Sequence, residues 1–212
     1  MIQAASCVGV VLAGGKSARM GTEKAALRIG DETLLARIVR RLRLALPEVY
    51  VVGPLHLAAL TPGTAVFPDD LTGIGPLGGL STALAHAPSR HIFVVGCDMP
   101  FVEPALMSAM ARYAARFPGA DVVAQRTPRG LEPLHAVYAQ TCASAVGEWL
   151  AAADGKSLSA LLERLNVKEL PANIVARYDP SGRSTFNANS PEDWREALAI
   201  YAEESSASSE WM

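Results

Sequence analysis

One stretch constrains this chain more than any other: Cys7-Val-Gly-Val-Val-Leu-Ala-Gly-Gly-Lys-Ser-Ala-Arg-Met-Gly-Thr-Glu-Lys24. Val8 to Leu12 is a short apolar run rich in β-branched residues, which reads as a strand buried inside a parallel sheet. It breaks into Ala13-Gly14-Gly15, where absent Cβ atoms let the backbone lie close to a ligand and aim its N–H groups at an anion. Lys16, Arg19 and Lys24 follow within ten residues. A strand, a bare loop and three cations together indicate a polyphosphate site. Two familiar phosphate loops are excluded by spacing. A Walker A loop ending at Gly15-Lys16-Ser17 would need glycine at Val10, and a Gly-x-Gly-x-x-Gly fingerprint would need glycines at Lys16 and Arg19.

Beyond that stretch, strands and helices alternate through the first 120 residues. Apolar runs at Val49–Val52, Val66–Phe67 and His91–Gly96 read as strands. A helical repeat of Leu34, Leu35, Ile38, Val39, Leu42 and Leu46 predicts a helix over 33–46, which Pro47 ends. A further helix is expected over 104–116. Strands are expected at 121–125, 134–138 and 173–177, and helices at 142–152, 157–165 and from Ser190-Pro191 onward. This pattern predicts an α/β, single-domain, Rossmann-like three-layer sandwich. Its central sheet is mostly parallel, with helices on both faces. The domain is expected to span 1–204, and the serine-rich 205–212 reads as a disordered tail. In such sheets ligands bind beyond the C-terminal strand ends. Gly14-Gly15, Asp69-Asp70 and Asp98 all follow apolar strands at that edge.

The motifs at that edge carry the chemistry. Asp98 ends the run Ile92-Phe-Val-Val95, where a carboxylate is costly unless paired or metal-bound, and one carboxylate plus substrate phosphates suits Mg²⁺. Asp69-Asp-Leu-Thr-Gly-Ile-Gly-Pro-Leu-Gly-Gly79 is a second glycine-rich loop, whose Gly75, Gly78 and Gly79 let backbone approach a flat base. Phe186-Asn-Ala-Asn-Ser-Pro-Glu-Asp193 sets Asn187 and Asn189 on one side of an extended segment, either for phosphate and metal or as turn and cap before a helix. Glu132 and His135 are the polar members of Glu132-Pro-Leu-His-Ala-Val-Tyr138, and a hydrogen-bonded structural role for His135 stands beside a functional one. Lys156 follows Asp154-Gly155. Arg37, Arg40, Arg41 and Arg43 read as a solvated helix face rather than a phosphate contact.

Leu12-Ala-Gly-Gly-x-Ser-x-Arg-Met-Gly-x-x-Lys24 resembles the signature of sugar-nucleotide and cofactor nucleotidyltransferases, and its Ala-Gly-Gly form is most similar to the molybdenum cofactor guanylyltransferases, the MobA family. The Asp69–Gly79 loop, Cys97-Asp-Met-Pro100, Pro133-Leu-His-Ala-Val-Tyr138 and Asn187-Ala-Asn-Ser-Pro-Glu-Asp193 resemble that family's other motifs, in order. The resemblance implies transfer of GMP from GTP to the terminal phosphate of molybdopterin, with or without molybdenum, in a Mg²⁺-dependent reaction. It assigns catalysis to Lys16, Arg19, Lys24 and Asp98, with Asp98 the metal ligand. Nucleotide binding falls to Leu12, Ala13, Gly14, Gly15, Lys24, Asp69, Asp70, Gly75, Gly78, Gly79 and Asp98, and acceptor binding to Glu132, His135, Lys156, Asn187 and Asn189. Some members place an asparagine where Val52-Gly53-Pro54 stands here. The other readings are a cytidylyltransferase for the same cofactor, a sugar-1-phosphate nucleotidyltransferase, and a silent nucleotide-binding domain.

Composition narrows the partners. A net charge of -2 leaves no footprint for nucleic acid. No apolar run is long enough for a bilayer. Three scattered cysteines fit neither a disulfide framework nor a zinc site. The expectation is a cytoplasmic monomer that meets GTP, molybdopterin, and molybdenum-insertion or molybdoenzyme-maturation proteins.

Overall fold

The computed structural model describes residues 7–14, 23–152 and 157–209. In chain order the elements are β1 (Cys7–Leu12), β2 (Arg28–Ile29), β3 (Glu32–Thr33), α1 (Leu34–Arg43), β4 (Val49–Val52), β5 (Ala65–Phe67), α2 (Pro76–His86), β6 (His91–Gly96), α3 (Pro104–Ala115), β7 (Val122–Thr127), β8 (Gly130–Ala139), α4 (Ala143–Ala151), α5 (Leu158–Leu162), β9 (Val167–Glu169), α6 (Ala172–Tyr178) and α7 (Pro191–Ser209). The main sheet runs β5-β4-β1-β6-β8-β7-β9, and β2 pairs β3 in a small hairpin. All neighbours are parallel except β8, which is antiparallel to β6 and β7.

Helices cover both faces. Alternate residues of β1 and β6 send Val11, Phe93 and Val95 into one core with α1, α3 and residues of α6. Val10, Ile92 and Val94 enter the other core with α2, α4 and α5. Gly9 lets α1 pack close, since a Cβ there would lie 2.6 Å from a Leu42 methyl. The three-layer sandwich expected from the alternation is therefore present. Among the described residues no helix is long and apolar enough to cross a membrane.

Register brings the functional loops level. Leu12 is paired with Val52 on one side and Gly96 on the other, and Val52 with Phe67. The chain leaves β1 to one side through α1 and returns through α2 to the other, so the strand order reverses beside β1. A crevice opens there beyond the strand ends. Main-chain bonds then fix the first loop residues: Ala13 N donates to Val52 O (2.8 Å), Cys97 N to Leu12 O (3.1 Å) and Gly53 N to Phe67 O (2.9 Å).

Two expectations need correction, and one strand went unread. Residues 173–177 are not a strand but lie in α6, which Pro171 opens; Ile174, Val175 and Tyr178 fall on one helical face against the core. The sheet edge is β9 instead, which its polar Lys168 and Glu169 disguised. The last helix continues past residue 204 to Ser209, with the Ser205 and Ser206 hydroxyls donating back to Tyr201 O and Ala202 O (both 2.9 Å).

Of the α1 arginines, Arg40 and Arg43 form the exposed face expected, but Arg37 and Arg41 do not. Arg37 is buried, donates from Nε to Pro100 O (3.0 Å), reaches Glu204 (3.4 Å) and lies over the rings of Tyr201 and Phe101. Arg41 donates to Val102 O (2.5 Å) and pairs with Glu103 (3.3 Å). Long stems let charged heads cross a helix flank to a neighbouring loop. Arg37 thus ties α1, the segment after Asp98 and α7 together. Replacing Arg37 by Met should cost about 2 kcal/mol in urea unfolding, because a buried carbonyl loses its charged donor. Arg40→Met, at an exposed pair with Glu32, should cost less than about 1 kcal/mol.

Candidate active site

Asp98 is delivered by the end of β6 and set by its neighbours. Gly96 leaves the space for it: a Cβ at Gly96 would stand 2.5 Å from Asp98 Oδ1. The Asp98 main-chain carbonyl accepts from Ala188 N (2.8 Å), which draws residues 187–190 to the crevice from the far end of the sequence. Lys24 opens a short 3-10 turn, Lys24–Ala26, after the first loop. Its Nζ lies 3.7 Å from Asp98 Oδ2 and donates to Asn189 Oδ1 at 2.7 Å. Burial pushes the Asp98 carboxyl above the ordinary carboxylate range, and the Lys24 charge opposes that rise.

Asn189 is held by the helix that follows it. Asn189 N and Ser190 N both donate to Asp193 Oδ2 (2.9 and 2.8 Å), and Asp193 N donates to Ser190 Oγ (3.1 Å). This reciprocal cap fixes the start of α7 and the Asn189 main chain in one step. The sequence left Asn189 open between cap and ligand contact. The cap belongs to Ser190 and Asp193, and the Asn189 side chain faces Lys24. Asp193 is the positioning residue that sequence reasoning missed, although an acid three residues after Ser190 was its signal. Asn187 turns back on its own segment, donating to Thr185 O (3.0 Å).

Two hollows with shared walls open at this crevice, and the smaller one is lined by Lys24 and Asp98. The smaller, about 170 Å³, is bounded by Leu12, Ala13, Gly14, Lys24, Pro54 and Asp98. The larger, about 610 Å³, shares Gly14 and Pro54 and adds Gly53, Asp69, Thr72 and Gly75. Asp69 is fixed by Leu71 N (3.0 Å) and the Thr82 hydroxyl (3.4 Å). Gly75 takes φ 77°, a left-handed conformation suited to glycine, directly before Pro76 starts α2. Gly53 could not carry an asparagine side chain unaltered, because its Cβ would stand 3.1 Å from the Ala13 carbonyl.

Other expected residues stand elsewhere. Asp70 turns to His86 (3.1 Å), which stacks on Phe67, so it lines neither hollow. Gly78 and Gly79 are buried in α2; a Cβ would meet Leu71 O at 2.7 Å or a Leu12 methyl at 3.3 Å, so they serve packing rather than a base contact. His135 is wholly buried, edge-on to Phe93, and neither ring nitrogen has a hydrogen-bond partner among the described residues. Burial lowers its pKa to about 4. It faces the core and not an acceptor, because β8 pairs with β6 and turns that face inward. Glu132 does line an open groove of about 600 Å³, with Thr127, Arg129, Arg183 and Phe186. Burial raises its carboxyl pKa, a bond from Leu134 N lowers it, and nearby Asp98 adds to the rise. Gly15, Lys16, Arg19 and Lys156 lie outside the described residues.

Among the described residues no group of three or more His, Cys, Asp or Glu forms a metal cage. A single carboxylate beside a hollow still fits a cation that takes its remaining ligands from phosphates and water.

A mostly parallel sheet whose strand ends bring a glycine loop, a half-buried aspartate and a lysine to one crevice defines an α/β enzyme of the nucleotidyltransferase class. The chain belongs to the family described as MobA-like NTP transferase domain, whose model matches residues 9–170. It is 37% identical to a probable molybdenum cofactor guanylyltransferase of Pelotomaculum thermopropionicum, over 100% of both chains. It is 36% identical to one of Opitutus terrae, over 90% of this chain and 94% of that one. Among solved structures, molybdopterin-guanine dinucleotide biosynthesis protein A from Archaeoglobus fulgidus superposes with a TM-score of 0.80 at 26% identity, covering 92% of this chain and 99% of that chain.

Gly96→Ala tests the seat of Asp98. The new methyl must displace the carboxylate, so nucleotidyl transfer should fall at least about 100-fold, with a stability loss of about 1–3 kcal/mol. Retained turnover in the folded variant would show that the Asp98 orientation is immaterial.

Proposed function

We propose that this chain transfers GMP from GTP to the terminal phosphate of molybdopterin, with or without molybdenum, and releases pyrophosphate. The observation that carries the reading is Lys24 held between Asp98 and Asn189 at the smaller hollow, which shares Gly14 and Pro54 with the glycine-walled one. The names of its full-length relatives support the same reaction.

In this reading the base and ribose occupy the larger hollow, where Gly14, Gly53 and Gly75 leave room and Asp69 offers a fixed carboxylate. The phosphates extend along the smaller hollow toward Lys24. An acceptor phosphate oxygen attacks the α-phosphorus; a new P–O bond forms there as the bond to the β-phosphate oxygen breaks. The attacker is already anionic, so the protein needs no covalent nucleophile. Its work is alignment and charge neutralisation. Lys24 meets the charge that builds at the α-phosphate, with its ammonium aimed by Asn189. Lys16 and Arg19, by their place in the motif, hold the departing β- and γ-phosphates. Asp98 would hold Mg²⁺, which when bound supplies charge neutralisation at the phosphate oxygens. The acceptor lies in the groove of Glu132, Arg129 and Phe186, and Asn187 and Lys156 contribute to its binding by their place in the sequence motifs. The enzyme works as a cytoplasmic monomer and passes its product to maturation proteins.

Purified protein with Mg²⁺, molybdopterin and each nucleoside triphosphate in turn tests the reading. GTP should exceed CTP in kcat/KM by a factor on the order of 10², because a pocket that pairs guanine's donors and acceptor leaves them unmatched with cytosine. Equal values, or a preference for CTP, would make the base assignment wrong and favour the cytidylyltransferase.

A further inference from the structure

The layer of α3 and α6 carries a second concavity that nucleotide chemistry does not use. α3 starts at the crevice with Pro104 and runs away from it, so Arg112 lies about 12 Å further along the helix. There Arg112, Tyr113 and Arg116 of α3 and Ile174, Arg177 and Tyr178 of α6 enclose a groove of about 290 Å³. No carboxylate lines it.

The charge there is concentrated. Some arginines of the molecule meet acids, such as Arg40 with Glu32, Arg126 with Glu169 and Arg195 with Glu192, while others, such as Arg28 and Arg43, donate to main-chain carbonyls. Arg112, Arg116 and Arg177 have no acidic partner among the described residues, although the whole chain carries a net charge of -2. Arg112 and Arg116 stand one turn apart, a mildly repulsive arrangement on a helix. Lys168 extends the patch: its Nζ is 4.7 Å from the Phe117 ring, which lies 4.8 Å from that of Tyr113.

The groove has a floor as well as a charge. Tyr113, Ile174 and Tyr178 are half-buried, while the three arginines around them are exposed. An apolar, aromatic floor inside a polar rim is the anatomy of a protein interface, and Arg and Tyr are the residue types that anchor one. Free phosphate would touch the rim and leave the floor unused. A long nucleic acid would run onto the surrounding surface of a net-negative protein.

We propose that this groove docks an acidic segment of a partner protein. Arg112 and Arg116 are about 6 Å apart along the helix axis. Acidic side chains two residues apart on an extended segment are spaced by about 6.6 Å and point the same way. The partner therefore presents aspartate or glutamate at alternate positions, with an apolar or aromatic side chain beside them for the tyrosine floor. Docked at this end of α3, it leaves the nucleotide crevice open.

Fluorescence anisotropy of the full chain at about 0.15 M salt tests this. The probe is a fluorescein-labelled peptide of about ten residues, with glutamate at alternate positions and one phenylalanine. Binding should be saturable. It should weaken at least about tenfold in Arg112→Glu/Arg116→Glu and in Arg177→Glu, and change less than about twofold in Arg195→Glu on α7. The groove variants should keep wild-type nucleotidyl transfer. If a charge reversal unfolds the chain by circular dichroism, the matching alanine variants should weaken binding at least about threefold. Absence of saturable binding, or equal binding by groove variants and Arg195→Glu, overturns the proposal. So does displacement of the peptide by inorganic phosphate or an oligouridylate at lower concentration, which would mark a small-anion or nucleic-acid site.

Discussion

Asp98 brings a carboxylate into the buried C-terminal edge of the sheet, and distant parts of the chain meet around its compensation. Lys24 comes from the first loop, 3.7 Å from Asp98 Oδ2. Ala188 comes from the far end of the sequence to bond the Asp98 carbonyl. Gly96 yields the space. Compensation is incomplete, because burial still holds the carboxyl above its usual range. The sign follows from linkage. A carboxyl whose folded pKa is raised weakens the fold when ionised, and that penalty disappears as pH falls through the folded value. A raised carboxyl at a crevice, beside a lysine, is where a ligand-binding group is expected.

The path from this carboxylate to the rest of the fold runs through α7. Asn189, which accepts from Lys24, is fixed by the Ser190–Asp193 cap. α7 is tied through Glu204 and Tyr201 to buried Arg37 of α1, and Arg37 also holds Pro100, two residues past Asp98. The helix that begins at the site is therefore anchored to the segment that leaves it. The C-terminal helix is packed and bonded to the crevice even though the matched family domain ends at residue 170.

Much of this was legible in the sequence, for local reasons. Val8 to Leu12 and Ile92 to Val95 are apolar runs whose ends carry glycine and aspartate, so both strands and their functional loops could be read directly. The alternation of elements then fixed the layers. What was not legible depended on contacts far apart in the chain. Arg37 looks like any charged residue on an amphipathic helix until Pro100, Phe101 and Tyr201 surround it. Asp70 and Asp69 are adjacent, and only His86, sixteen residues on, shows that Asp70 faces away. Gly78 and Gly79 match a nucleotide-loop pattern but serve helix packing. The strand β9 is polar, and α6 carries β-branched Ile174 and Val175, so local propensity pointed the wrong way at both.

The account stands on Lys24 as the cation that meets charge developing at the α-phosphate, with Asp98 and Asn189 as its guides. Single-turnover rates of wild-type protein and Lys24→Ala, with saturating GTP and acceptor, measure this directly. The rate should fall roughly 100- to 1,000-fold, while the urea-unfolding midpoint changes little. A rate within a few-fold of wild type in a folded variant would contradict the account.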